Sequence, residues 1–146
     1  MISRDKSLLC PAFRDRLEEM ERLLAIDHLP YALYEGFRTF EQSDDYYAQG
    51  RTKPGKIITN ARGGDSLHNY SIAADYVKLI GGQWSWDGSF KSLGELAEQC
   101  GLEWGGNWKR FPDYPHVQMP GLTLNEIKEL YRQSNGDLKA IWQHYT

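Results

Sequence analysis

Cysteine is scarce in this chain, which has 146 residues and only Cys10 and Cys100. Two thiols lie far below the density of disulfide-stabilised secreted domains, so we expect reduced cysteines and leave open a single bond between them. Long apolar runs are also missing, since the longest covers only residues 23–26. No segment is therefore long enough to span a bilayer. Residues 1–6 precede no apolar signal core, so we expect no ordinary secretion signal.

An excess of positive charge is lacking too, because the net charge is −3 and the pI is about 5.8. Nucleic-acid binders and polybasic membrane-surface proteins usually carry a basic field. We therefore expect no nucleic-acid partner and no stable membrane association. Hydrophobic residues make up 40% and aromatic residues 13% of the chain, which is enough for a core at this length. We expect one domain over residues 1–146, acting as a monomer.

Apolar spacing and turn residues predict helices and short strands along the chain. Helices are predicted at 11–26, from Thr39 to Gly50, at 93–100, after Thr123 and from Asp137 to His144. Strands are predicted at 31–37, 57–59, 72–79, 102–104 and 116–119. Gly81-Gly82 predicts a turn, and residues 84–88 are predicted to be irregular. These elements indicate an α+β fold, a small single domain with a short, mainly antiparallel sheet flanked by helices and long site-bearing loops.

Three residues have the side chains that a hydrolytic zinc site needs. His68 precedes the predicted strand that carries Asp75, and His116 begins another short strand. Two histidines and one aspartate leave one coordination position open, where the charge of the ion lowers the pKa of a bound water towards roughly 7. Two loop histidines with hydrogen-bonding roles would give the same pattern, and spacing alone does not separate the two interpretations.

Asp113 lies three residues before His116. In an extended or turning segment, its carboxylate can face the attacking water without binding the metal. A free carboxylate in that place takes a proton from the water and passes it to a leaving amine. The spacing therefore makes Asp113 the candidate general base.

The sequence around these positions resembles a known group of zinc peptidases. Residues 66–75, SLHNYSIAAD, are similar to the S-x-H-x-x-G-x-A-x-D motif of the superfamily of D-Ala-D-Ala carboxypeptidases and L-alanyl-D-glutamate endopeptidases. Residues 103–108 and 113–116, EWGGNW and DYPH, resemble its second motif. The resemblance covers residues 31–119 and looks closest to the phage-endolysin branch.

This resemblance implies a zinc-dependent peptidoglycan peptidase that hydrolyses the L-Ala–D-Glu bond of cell-wall stem peptides. It implies one zinc ion bound by His68, Asp75 and His116, with Asp113 as the general base. The peptidoglycan stem peptide is then the expected partner.

Four further positions are singled out by the same resemblance. It implies Arg38 as a cation near the scissile carbonyl or a substrate carboxylate, and Ser66 as a hydrogen-bonding, substrate-binding residue. Ser71 stands where the motif has glycine, a departure that matters if the position requires a positive φ. Glu103 is either a second proton shuttle or substrate contact, or a residue that orders the glycine-rich loop at residues 105–115. The better spacing of Asp113 favours the loop role.

Two other functions stay open at this point. A D,D-carboxypeptidase or dipeptidase acting on D-Ala-D-Ala ends shares the metal motif. A non-catalytic, zinc-containing wall-binding domain belongs to a different class, and it is disfavoured because structural zinc sites usually have four protein ligands. With no signal peptide, the chain is expected to be made in the cytoplasm and to reach the cell wall or periplasm by a holin-like or other release route.

Overall fold

The computed structural model describes residues 1–145 of the chain, and these residues form five α-helices and five strands. The helices are α1 (Pro11–Ile26), α2 (Phe40–Ala48), α3 (Lys91–Gln99), α4 (Leu124–Gln133) and α5 (Lys139–Trp142). The strands are β1 (Tyr31–Glu35), β2 (Ala73–Ile80), β3 (Gln83–Ser85), β4 (Glu103–Trp104) and β5 (His116–Gln118). The predicted α+β class is therefore confirmed.

Every strand pairing in the sheet is antiparallel, and β2 is its central strand. Strand β1 pairs with one edge of β2, while β5 and β3 share the other edge at opposite ends of the strand. Strand β4 extends the sheet beyond β5. In this register Asp75 lies between Glu35 of β1 and His116 of β5, so the three residues form one row across the sheet.

Helix α1 has the bounds that its apolar spacing predicts, and Pro11 occupies its first turn. Its core-facing side chains are Phe13, Leu17, Met20 and Leu24. The helix packs against α3 and β1, and its buried side chains belong to one cluster that also includes residues of the sheet. Burying an aliphatic or aromatic side chain of this size contributes roughly 1.5–3 kcal/mol. The buried face therefore holds α1 against α3 and β1.

The predicted cap residues of α2 and α4 both make the expected contact. The hydroxyl of Thr39 accepts a hydrogen bond from the backbone N–H of Gln42 at 3.0 Å. At α4, Thr123 and Glu126 form a complete capping box, with reciprocal bonds of 3.2 and 2.9 Å. Side-chain caps of this kind stabilise a helix by about 1 kcal/mol.

Two local predictions are wrong. The predicted strand at 57–59 is part of an irregular loop, because no neighbouring strand is there to pair with it and both of its isoleucines are exposed. The first two residues of the segment 84–88, predicted to be irregular, instead belong to β3, which pairs with the end of β2. Gly81 and Gly82 make this hairpin possible, since both have positive φ values, 58° and 78°, as a tight hairpin turn requires.

Both cysteines are free thiols, and Cys10 is buried. Within residues 1–145, no helix is both long enough and apolar enough to cross a membrane.

Candidate metal centre

His68 lies in a short 3₁₀ turn, Leu67–Tyr70, whose beginning is fixed by Ser66. The hydroxyl of Ser66 accepts a hydrogen bond from the backbone N–H of His68 at 3.2 Å. Asn69 donates through Nδ2 to the carbonyl oxygen of Arg38 at 3.0 Å, which ties the turn to the segment between β1 and α2. The polar residues of the motif therefore hold the backbone from which the imidazole of His68 projects.

The imidazole of His68 is buried, and one of its nitrogens is already engaged. Nδ1 lies 2.8 Å from the carbonyl oxygen of Gly36. Because a carbonyl oxygen only accepts, Nδ1 carries the proton and donates it. Nε2 therefore keeps its lone pair, and it lies 3.5 Å from Oδ1 of Asp75.

In His116 the two ring nitrogens have exchanged roles relative to those of His68. Nε2 lies 2.7 Å from Oε1 of Gln118, and the amide oxygen makes it the donor. Nδ1 then keeps the lone pair, 3.5 Å from the same Oδ1 of Asp75. The two histidines thus present different nitrogens to one carboxylate oxygen.

These three side chains fit a metal ion. One ligand atom from each of His68, Asp75 and His116 lies within 4.8 Å of the other two. Oδ1 of Asp75 is buried and has no hydrogen-bond partner. Three lone pairs that face each other in a buried place are unfavourable unless a cation lies among them. Two imidazoles with one carboxylate suit zinc, and in such sites the second nitrogen of each histidine donates to an oxygen, as it does here.

The electrostatic surroundings keep Asp75 ionised. Burial raises the pKa of this carboxyl group, but without a metal ion the imidazoles can take up a proton in place of the cation, and the charge of a protonated His68 and the hydrogen bond of a protonated His116 then lower the pKa by more. The pKa of Asp75 consequently lies well below its ordinary value, so the carboxylate is available as an anionic ligand.

Asp113 lies at the edge of this cluster rather than inside it. Its Oδ2 is 3.7 Å from Nδ1 of His116, and 48% of its side chain is exposed. The backbone N–H of Asp113 donates to the carbonyl oxygen of Gly105 at 2.9 Å, which holds the loop in place. Burial and the charge of Asp75 raise the pKa of Asp113. A carboxylate with a raised pKa is a stronger proton acceptor than an ordinary one, as a general base requires.

Arg38 is not a free surface charge. Its Nη2 donates to Oε1 of Glu35 at 2.6 Å, and the two side chains are only 12% and 4% exposed. Tyr46 supports the pair, since its ring lies under the guanidinium at 4.8 Å and its hydroxyl donates to Oε2 of Glu35 at 3.2 Å. Nε of Arg38 is buried without a partner. Arg38 is therefore held in one orientation by its neighbours.

A cleft of about 750 Å³ runs over the cluster. It is lined by the three clustered residues together with Asp113, Arg38 and Ser66. The structure thus brings six of the eight residues singled out by the sequence to one cleft, and the other two, Ser71 and Glu103, lie outside its lining. Trp86 and Trp108 also line it, while Trp104 is buried in the core.

Ser71 has φ 62° and ψ 32°, so the motif position does require the left-handed conformation. This conformation costs about 1–2 kcal/mol for a residue other than glycine. The side chain is fully buried, and its hydroxyl has no hydrogen-bond partner. The turn nevertheless presents His68 to the cluster, so the departure from glycine leaves the local shape intact.

Glu103 does not line the cleft. Its Oε2 accepts hydrogen bonds from Nε1 of Trp108 at 3.1 Å and from Nε2 of Gln118 at 2.9 Å. These contacts agree with the loop-ordering role that the spacing favours over a substrate contact.

Sequence reasoning missed the partners of the clustered side chains. Gln118 could have been found, because residues two apart on a strand share a face and His116 is two positions away. Glu35 could have been suspected from its position three residues before Arg38. The carbonyl of Gly36 leaves no signal in the sequence, since any residue has one.

Known proteins share this sequence pattern and this fold. A family model described as D-alanyl-D-alanine carboxypeptidase matches residues 59–119. The peptidoglycan L-alanyl-D-glutamate endopeptidase CwlK of Bacillus subtilis is 38% identical over 122 residues, which cover 76% of this chain and 73% of CwlK.

Two solved structures are similar in fold. The vancomycin resistance D,D-pentapeptidase VanY, determined in complex with Zn(II), matches with a TM-score of 0.60 and 14% identity over 92% of this chain and 83% of its own. The L,D-carboxypeptidase DacB from Streptococcus pneumoniae matches with a TM-score of 0.60 and 19% identity over 92% of this chain and 76% of its own. At these identities the similarity shows a shared fold.

Proposed function

The chain belongs to the peptidase family that includes the D-alanyl-D-alanine carboxypeptidases and CwlK, and on this basis we propose that it is a zinc-dependent peptidoglycan peptidase. Its proposed reaction is hydrolysis of the bond between L-Ala and D-Glu in cell-wall stem peptides. The identity to CwlK, an endopeptidase for that bond, supports this specificity.

The observation that carries the proposal is the convergence of His68, Asp75 and His116 on one point, with the outer nitrogen of each histidine bound to an oxygen. We assign these three residues as the ligands of one zinc ion. When bound, zinc supplies a Lewis acid that polarises a carbonyl and makes a water molecule easier to deprotonate.

Asp113 is the proposed general base. Its carboxylate accepts a proton from the attacking water and delivers it to the nitrogen of the leaving D-Glu residue. The half-exposed position at the edge of the cluster suits this role, because the group must reach both the water and the leaving amine.

Arg38 and Ser66 complete the proposed site. Arg38 keeps a fixed guanidinium on the wall of the cleft, where it can stabilise negative charge on the scissile carbonyl or bind a substrate carboxylate. Ser66 lines the same cleft and caps the turn of His68, so its hydroxyl borders both the substrate and the ligand backbone.

The proposed place of action is the cell wall, where the stem peptide is found. The fold provides one core over the described residues, which suits a single catalytic domain. Action as a monomer stays a prediction from the sequence. Release through a holin-like or other route stays a prediction from the sequence.

A D,D-carboxypeptidase acting on D-Ala-D-Ala ends is the second candidate, because the matching family model carries that description. Product identification separates the two. Purified peptidoglycan or a defined stem peptide is digested with and without a chelator, and the products are analysed by mass spectrometry. A new amino terminus on D-Glu that disappears with the chelator supports the proposal. Released D-Ala supports the alternative, and binding to the wall without any product would show a non-catalytic domain.

A further inference from the structure

The ligand nitrogen of His116 depends on which way the amide of Gln118 points. If Gln118 presents its oxygen, Nε2 of His116 carries the proton and Nδ1 is free to bind a metal. If the amide is turned by 180°, its NH₂ group faces Nε2, and the proton moves to Nδ1, where it blocks the ligand atom. A contact outside this pair must therefore fix the orientation of the amide.

Glu103 provides that contact. It lies directly opposite Gln118 in the β4–β5 pair, and its Oε2 is 2.9 Å from Nε2 of Gln118. An ionised carboxylate only accepts hydrogen bonds, so the NH₂ group of Gln118 must face it. The amide oxygen is then left for Nε2 of His116, at 2.7 Å.

Trp108 holds the carboxylate of Glu103 in place. The indole Nε1–H can only donate, and it lies 3.1 Å from the same Oε2. The ring of Trp108 also packs beside the ring of His116, with centroids 5.1 Å apart. Two donors thus converge on Glu103. Because Glu103 accepts from Gln118, Gln118 must in turn accept from His116.

We propose that Glu103 is a positioning residue for the metal site: through Gln118 it keeps the proton of His116 on Nε2 and so leaves Nδ1 as the ligand atom. This inference rests on the proposed metal site but not on which peptide bond is cut. The proposed role of the Glu103 carboxylate differs from proton transfer and from substrate contact, because Glu103 lies outside the cleft.

The first test removes the acceptor at position 103. In Glu103→Met the amide of Gln118 is free to turn, so we expect the full-length chain to bind Zn(II) about tenfold more weakly, as is typical when a partner of a ligating histidine is lost. The affinity is measured by competition with a fluorescent chelator, without substrate. Glu95→Met makes the same chemical change at an exposed position of α3 and should leave the affinity unchanged.

The second test restores the tautomer without Glu103. In the double variant Glu103→Met/Gln118→Glu, the carboxylate introduced at position 118 accepts from Nε2 of His116 and cannot turn into a donor. We expect its Zn(II) affinity to return to within about threefold of the parent value, although the contact between Trp108 and position 103 is still missing. A role of Glu103 in ordering the loop alone would not be rescued by this change.

The Zn(II) affinities of the single and double variants decide whether the proposal holds. A parent-like affinity of Glu103→Met, or a double variant as weak as the single one, would overturn the proposal. Thermal unfolding with excess zinc identifies variants that fail to fold, and Gln118→Met then tests the same chain of bonds with the same expected loss. Because no substrate is used, a failure of the endopeptidase assignment would leave these affinities unaffected.

Discussion

Asp75 and His116 face each other across the β2–β5 pair, with Oδ1 of the first 3.5 Å from Nδ1 of the second. The register of an antiparallel pair therefore sets the distance between two of the three proposed ligands. His68 reaches the same oxygen from a capped 3₁₀ turn. Side chains on paired strands are held more precisely than side chains on loops, which suits a site that must keep a fixed coordination geometry.

Replacing His116 with alanine removes one proposed ligand. We expect His116→Ala to lose both its bound zinc and most of its hydrolysis of purified peptidoglycan, because the remaining two ligands do not hold the ion. Metal content and turbidity of a wall suspension are measured on the same preparation. His144→Ala, near the C-terminus and outside the cluster, is the matched control. Full activity in a metal-free His116→Ala protein would refute the mechanism.

Removing the proposed base should separate metal binding from turnover. Asp113→Asn keeps the size of the side chain and all three ligands but cannot accept a proton. We expect the zinc content to stay at the parent level while kcat falls by roughly 10²- to 10⁴-fold. The measurement pairs metal analysis with kinetics on a defined stem peptide. If zinc were lost instead, Asp113 would be a ligand and not the base.

The role of Arg38 can be tested while its charge is kept. Arg38→Lys retains the cation but loses the planar fork that binds Glu35, so we expect kcat to fall on the order of tenfold or more with the zinc content unchanged. Arg62→Lys, at an exposed arginine of the loop between α2 and β2, should have little effect. Equal kcat values for the two variants would show that Arg38 has only a structural role.

Ser71 adopts a conformation that glycine would adopt without strain. Ser71→Gly relieves the left-handed strain and removes a buried hydroxyl without a partner, while it adds flexibility to the unfolded chain. We expect a net gain of about 1 kcal/mol in the free energy of unfolding, measured with urea. Ser85→Gly in β3, where φ is negative, should instead lose about 0.5–1 kcal/mol. A destabilised Ser71→Gly protein would contradict this account.

Tyr70 makes stability depend on pH in the alkaline range. Burial, with the nearby charges of Tyr131 and Asp65, raises the pKa of Tyr70 to about 12 from an ordinary value of 10. A raised folded-state pKa means that the stabilisation is complete below pH 10 and is lost as the pH rises from 10 to 12. The expected loss is about 3 kcal/mol, because each pKa unit corresponds to about 1.4 kcal/mol.

Denaturant unfolding at several pH values tests this expectation. Tyr70→Phe removes the titrating group, so its stability should fall less steeply above pH 10. At neutral pH it should be about 1 kcal/mol less stable than the parent, because the hydroxyl no longer donates to the carbonyl of Gly64. Tyr114→Phe, at an exposed tyrosine, should follow the parent curve.

Local patterns in the sequence predict the helices well. The spacing from Phe13 to Leu24 predicts α1 with its correct ends, and Thr123 with Glu126 predicts the cap of α4. These features depend on residues within a few positions of each other. The exposed run at 57–59 looks like a strand for the same local reason, but a strand also needs a partner, and the sequence does not show which segments pair.

The sequence identifies the residues of the candidate site, but it does not show the hydrogen bonds and ion pairs between them. The motifs around His68, Asp75 and His116 identify the clustered side chains, because the chemistry of a metal site limits which residue types occur. Contacts such as that between Glu103 and Gln118 depend on the register of β4 and β5, which is a property of the folded sheet. The ion pair of Arg38 likewise depends on burial that the sequence does not reveal.

The β2–β5 pairing also has a consequence for folding. Strands β2 and β5 are separated along the chain by a hairpin, helix α3 and the glycine-rich loop, so they meet only after a long segment has been closed. Asp75 and His116 are far apart until that happens. A partly folded chain, in whatever compartment it is found, therefore has no assembled site, and hydrolytic capacity arises together with the completed domain.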